Sequence, residues 1–314
     1  MAIYVLKRLL ALVPTLFIMS VIVFIIIYLI PGDPARVMLG DGADEATIQQ
    51  VREQMGLNQP VLPQYINWIS GALQGNFGES YFLGKSVMAA IGEHAGPTFS
   101  LAVLALLLSL CTAIPLGIAA AKHQGGLADK LLTAFSLLGM AIPGFLLSLF
   151  LVLLFAVKLK WLPVSGYASL QDGVWSYLKH LILPAVSLSP LMGAIIARMV
   201  RSSMLEVMNQ SYVKTARAKG VSEHRVIYKH VLRNALIPII TVTGGAFGTL
   251  LAGAAVIETV FNIPGLGQLL VHSVARRDYA VIQGIVLFIA FLYVAVNLIV
   301  DLLYVVADPR VRLE

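Results

Sequence analysis

Six stretches of the chain, 9–32, 94–121, 131–157, 180–197, 234–257 and 279–300, contain no Asp, Glu, Lys or Arg. About 20 apolar residues cross a bilayer's hydrocarbon core as a helix, and only a helix or a closed barrel satisfies its own backbone there. These runs therefore predict an all-α membrane protein with about six transmembrane helices, the last continuing past Asp301 to about Val306. Composition agrees: 59% of the 314 residues are hydrophobic and 12% charged, against about 25% charged in a soluble domain. Single Cys111 lies in an apolar run. It allows no internal disulfide and reads as a small buried side chain.

A seventh apolar run, 259–275, contains Pro264, Gly265 and Gly267, which punctuate helices. Leu266, Leu269, Leu270, Ser273 and Val274 then share one helical face. This is the pattern of an amphipathic helix at the membrane interface or re-entering it. The first run follows Lys7-Arg8 and is too long for a signal peptide's apolar region, so it is expected to remain as an anchor. Of the 22 Lys and Arg, fourteen fall in segments on the N-terminal side of the membrane and eight on the other. The positive-inside rule then predicts both termini in the cytoplasm. The net charge of +6 is spread between apolar runs, which argues against nucleic acid as a partner.

Three parts are expected: an N-terminal helix (1–32), an external segment (33–96) and a five-helix core (97–314). In the external segment, Ile48, Val51 and Met55 space as a short helix ended by Gly56. Tyr65, Ile66, Ile69 and Leu73 space as a second, with Trp68 suited to the headgroup level. This segment is either a docking surface or a connector.

The inner loop, about 200–233, carries the most information. Ser211 is placed to cap a helix from Tyr212 to Lys219, with Gly220 in the left-handed position at its end. Ser222 is placed to cap a second helix from Glu223. A two-turn helix is marginal alone in water and needs a surface to pack on. Ala216 and Ala218 permit close approach, and Lys214, Arg217 and Lys219 suit an acidic groove. Those charges also satisfy the positive-inside rule without any partner.

This segment resembles the cytoplasmic E-A-A-x-x-x-G loop of permease subunits of binding-protein-dependent ABC importers. Lys214-Thr215-Ala216 stands at E-A-A, Gly220 at the glycine, and Leu236-Ile237-Pro238 at the close. Thr215-Ala216-Arg217-Ala218-Lys219-Gly220 followed by Arg233-Asn234-Ala235 is similar to the dipeptide, oligopeptide and nickel branch. So are Pro31-Gly32-Asp33-Pro34, Gly56-Leu57-Asn58-Gln59-Pro60, Gly75-Asn76-Phe77-Gly78, Pro264-Gly265-Leu266-Gly267, Arg277-Asp278-Tyr279 and Asp308-Pro309-Arg310.

The resemblance implies a type I importer permease fold in a bacterial inner membrane. It implies a heterodimer with a second, similar permease, two ATPase subunits and an extracytoplasmic solute-binding protein. Residues Lys214, Thr215, Ala216, Arg217, Ala218, Lys219, Gly220, Val221 and Ser222 would form the ATPase-coupling loop. No G-x-x-x-x-G-K-[ST] phosphate loop occurs in the chain. No cofactor is expected in this subunit, then, and ATP and Mg belong to the partner ATPases. The chain would be a transport subunit and not an enzyme.

Other residues have structural and functional readings side by side. Gly244, Gly248 and Ala252 recur every four residues and allow close helix packing in lipid; they are also candidates to line the path. Pro115, Pro143 and Pro184 mark kinks. Glu258 and Asp301, with Asn297 on the face of Asp301, are the acids nearest the membrane. Their positions near helix ends predict exposure to headgroups or water. The six His show no ligand spacing, so no metal site is expected. An ion-coupled secondary transporter is the rival of another class; it calls for a buried acid and often an internal repeat. Peptides, glutathione and nickel chelates remain as substrate classes.

Overall fold

The computed structural model describes residues 2–29, 33–40, 42–54, 56–80 and 82–307. Residues 9–29 of the first apolar run lie in α1 (Ala2–Leu29), whose apolar stretch includes Leu12–Ile25. Three short helices follow, α2 (Pro34–Leu39), α3 (Glu45–Gln54) and α4 (Val61–Leu73), and then two-residue antiparallel strands β1 (Glu79–Ser80) and β2 (Lys85–Ser86). The remaining helices are α5 (Val87–Lys122), α6 (Leu127–Ala141), α7 (Gly144–Leu151), α8 (Val174–Met208), α9 (Ser211–Ala218), α10 (Glu223–Arg225), α11 (Arg233–Phe261), α12 (Leu266–Arg276) and α13 (Tyr279–Ala307). A π-helical segment, Val226–Leu232, joins α10 to α11, so that one helix of 39 residues runs from Glu223 to Phe261. A second, Val152–Lys158, extends α7.

Four of the described helices are long and apolar enough to cross a membrane: those beginning at Val87, Val174, Glu223 and Tyr279. At ~1.5 Å per residue, 35-residue α8 is over 50 Å long and outreaches a ~30 Å hydrocarbon core. Its ends carry the polar sequence expected of loops. The run 131–157 is not one straight helix. Ile142 is extended (φ −87°, ψ 116°), as a residue before proline prefers, and the two halves bend by 98° at Pro143. By contrast α5 continues through Pro115 and α8 through Pro184 and Pro190. Of the three prolines expected to kink helices, Pro143 makes the break.

The chain divides into two compact units, 1–98 with 264–295, and 99–263 with 296–314, and the divisions fall inside α5 and α13. In the first, Tyr65 of α4 donates or accepts a 2.8 Å hydrogen bond with Ser20 of α1 and stacks edge-on with Phe24. Asp33 accepts from Ala35 N–H at the start of α2 and from Arg52 of α3 at 2.6 Å. Gly56 has φ +67°, which suits its place after α3. Val87, Ala90, Ile91, Leu266, Leu269, Val281 and Ile285 form this unit's core. The seventh apolar run becomes amphipathic α12, whose first N–H, at Leu266, donates to Thr98 Oγ1 at 2.8 Å.

In the second unit α8 is the central helix, with thirteen buried residues among them Ala194, Ala197, Val200 and Met204. Small residues bring its neighbours close. A methyl on Gly117 of α5 would stand 2.7 Å from Ala197 O, and one on Gly139 of α6 would stand 2.8 Å from Pro190 O. Cys111 corrects the expectation of burial: it is exposed on the face of α5 that this unit leaves uncovered.

Candidate coupling site

Between α8 and α10 the chain turns twice within fourteen residues. Gln210, extended at φ −68° and ψ 147°, is the N-cap of α9 and makes no side-chain cap bond. Ser211 therefore does not cap. It is the first helical residue, and its carbonyl accepts from Thr215 Oγ1 at 3.0 Å.

The C-terminal end agrees with the expected glycine corner. Gly220 has φ +78°; its N–H donates to Arg217 O at 2.9 Å, and Val221 N–H donates to Ala216 O at 3.2 Å. This pair of bonds is a Schellman motif, which satisfies carbonyls a helix end would otherwise leave open. The two residues that flank this motif on its apolar side, Ala216 and Val221, both pack on the buried core. Ser222 occupies the N-cap position of α10 but contributes no side-chain bond. Arg217 instead spans the corner, donating from Nε and Nη2 to the two oxygens of Glu223 at 3.1 and 2.8 Å. Both partners are about half exposed, so the pair contributes at most about 1 kcal/mol.

One side chain of α9 is buried. Val213 has 0% exposure and belongs to the core that includes Val226, Ile227 and Val231 of the π-helical segment. Lys214, Thr215, Arg217, Ala218, Lys219, Gly220 and Ser222 are exposed. Tyr212 is hydrogen-bonded to Asn234, and burial pushes its phenol above the usual tyrosine value despite that bond. The corner is thus a cationic ridge with one aliphatic anchor. Val213 was legible only as the single large apolar residue in a polar two-turn helix.

Further along, Asp129 of α6 accepts from Arg201 of α8 through both carboxylate oxygens, at 2.5 and 2.8 Å, and from Gly125 N–H at 2.9 Å. Sequence reasoning missed this pair because 72 residues separate its members.

The candidates on α11 are not alike. Gly244 is buried, and a Cβ there would overlap the side chain of Val300 in α13. Gly248 is half-buried and Ala252 is exposed, while Gly253 approaches Leu188 of α8. Glu258 overturns the expectation of exposure. It is fully buried at 0%, because the chain after α11 folds back over the helix end: Asn262 takes a left-handed turn, and Ile263 N–H donates to Glu258 O at 2.8 Å. Asp301 is half-buried. Among the described residues no group of His, Cys, Asp or Glu is placed to hold a metal ion. Asp308-Pro309-Arg310 and Pro31-Gly32 lie outside the described residues.

Comparison with known proteins assigns this architecture. Residues 113–313 match the family described as "Binding-protein-dependent transport system inner membrane component", and residues 1–102 match that family's N-terminal region. The chain is 42% identical over 312 residues to the "Probable peptide ABC transporter permease protein" of Sinorhizobium fredii, covering 99% of this chain and 100% of that one. It is 43% identical over 309 residues to the "Glutathione transport system permease protein" of Escherichia coli, covering 98% of each. With family matches over both regions and near-complete alignment to these relatives, the chain belongs to the binding-protein-dependent transport system inner membrane components and is a membrane-integral permease subunit of such an importer.

Proposed function

We propose that this permease forms half of the translocation path of an ATP-driven importer for small peptides or glutathione-like solutes. Its partners are a second, similar permease, two ATPase subunits that bind ATP and Mg, and a solute-binding protein on the outer face. Both termini face the cytoplasm, following the Lys and Arg balance. The ridge from Lys214 to Ser222 seats in a groove of one ATPase.

The observation that carries this reading is the construction of that ridge. It is a short, exposed, cationic helix held by Val213 and by the corner at Gly220, and only the corner 219–222 separates it from a 39-residue apolar helix that begins at Glu223. A push on α9 therefore crosses one short, hydrogen-bonded corner and then travels along a single long helix toward the membrane. Gly244 and its close approach to Val300 continue that helix into the bundle, and Gly248 and Ala252 follow on the same stripe toward the path.

Peptide and glutathione are the substrates named for the two relatives, and their near-full-length identity to this chain supports both here. The test is uptake of labelled dipeptide and of labelled glutathione into proteoliposomes holding the chain with its co-purified partners, with ATP on the ATPase side and binding protein opposite. ATP-dependent accumulation that survives an uncoupler is the expected result. Uptake abolished by the uncoupler, with no co-purifying ATPase, would replace this reading with a secondary carrier.

A further inference from the structure

Four buried side-chain polar atoms lack a hydrogen-bond partner among the described residues, and three of them, Trp68 Nε1, Tyr279 Oη and Gln283 Nε2, belong to residues that line one cavity. Tyr279 and Gln283 are 4% and 5% exposed. They lie four residues apart on the first turns of α13, and therefore on one helix face. Trp68 approaches from α4, its ring held against Phe24 and Tyr65 at centroid distances of 5.8 and 6.3 Å. The cavity encloses about 520 Å³, within the ~300–1,000 Å³ usual for small-ligand sites.

Unpaired buried donors are rare and call for an explanation. An indole N–H and an amide NH₂ only donate, and a phenol can donate, so the group that completes them is a hydrogen-bond acceptor. The cavity wall has no Lys, Arg or His; Glu53 is its one charged residue. A phosphate would meet no compensating cation there. A peptide's carbonyl oxygens fit the three donors, and its terminal ammonium fits Glu53.

We infer that Trp68, Tyr279 and Gln283 form an acceptor-reading subsite for the backbone of a short peptide, with Glu53 receiving its amino end. This inference rests on the peptide reading above and deepens it. The three polar atoms are themselves closed to solvent, behind the cavity surface that their side chains line. A peptide therefore engages them as these side chains turn about their last torsions, which makes the subsite selective for an acceptor that replaces the lost packing. The segment holding α4 is the one that charge balance puts outside, where solute arrives from the binding protein.

The test is equilibrium dialysis of tritiated trialanine against the purified importer complex without its binding protein. The wild type is expected to retain the peptide. Trp68→Phe, Tyr279→Phe and Gln283→Met each remove a donor and keep most of the volume. Each should weaken retention by about two- to tenfold, the size of one neutral hydrogen bond. N-acetylation of the probe should weaken binding to the wild type and not to Glu53→Gln.

Tyr279→Phe changes the packing least, so a loss in that variant is not explained by misfolding. Equal retention by the wild type and all three donor variants would mean that water satisfies these groups and would overturn the subsite. So would displacement by phosphatidylglycerol with no binding of trialanine. If the subsite fails while the intact importer still accumulates trialanine, the peptide reading stands without it. If the intact importer accumulates no peptide, the reading beneath fails as well.

Discussion

Gly220 and Val213 do opposite jobs in the same ten residues. Gly220 has open space around it, so its constraint is backbone and charge and not crowding. A side chain at φ +78° costs roughly 1–2 kcal/mol of left-handed strain, about tenfold in an equilibrium. Gly220→Asp adds a negative charge to a cationic ridge as well. It is expected to reduce uptake by more than Gly220→Ala does, while immunoblots of membranes show normal amounts of both. Normal uptake by the Asp variant would remove the coupling role from this corner. Val213 is the reverse case, a contact problem. Val213→Ala deletes buried methyl groups at a cost of about 1–3 kcal/mol and frees α9 from its anchor. ATP hydrolysis by the complex should then persist while solute-stimulated hydrolysis falls; preserved stimulation would show that the anchor is dispensable.

At the scale of elements, two contacts fix how α8 and α11 meet their neighbours. Gly244 leaves no room for a larger residue against Val300. Gly244→Leu should destabilise by about 1–3 kcal/mol through overpacking and lower the melting temperature of the solubilised protein. Val300→Ala in the same chain should restore part of it, and no restoration would place the clash elsewhere. The two-pronged bond between Asp129 and Arg201 ties the start of α6 to the C-terminal end of α8, seven residues before α8 ends at Met208. Arg201→Ala should impair uptake more than it impairs membrane insertion. The swap of Asp129→Arg with Arg201→Asp should recover more uptake than either single change; a swap no better than the single variants would show that charge pairing is not what joins these helices.

For the whole molecule, the question is which side of the membrane each part occupies. The termini are expected inside and α4 outside, so reporter fusions at residue 314 and within 57–60 should report opposite compartments. The same compartment for both would invert the assignment of the ridge around Gly220. Burial of Glu258 does not by itself make the protein a proton-coupled carrier, since family membership identifies it as a binding-protein-dependent permease. Glu258→Gln is expected to act through packing alone and to leave ATP-driven uptake insensitive to an uncoupler, and an uptake assay with and without uncoupler checks it.

Local chemistry determined much of this protein before any tertiary contact formed. Uncharged runs longer than a bilayer's core demand helices in lipid. A residue before proline avoids the helical region, and glycine alone takes φ near +78° without strain. From these come the spans, the amphipathic α12 and the helix–glycine–helix corner. Tertiary structure decided what depends on neighbours distant in sequence. Ser211 and Ser222 have capping residue types, yet Arg217 and Glu223 hold the corner in their place. Of three prolines within spans, Pro143 breaks its helix, while α5 and α8 continue through theirs. Glu258 looked exposed because its place near a helix end says nothing of the chain that folds back over it. The pairing of Asp129 with Arg201, the overlap of Gly244 with Val300, and the convergence of Trp68, Tyr279 and Gln283 have no local signature. Each is a property of two surfaces brought together, and periodicity describes one surface at a time.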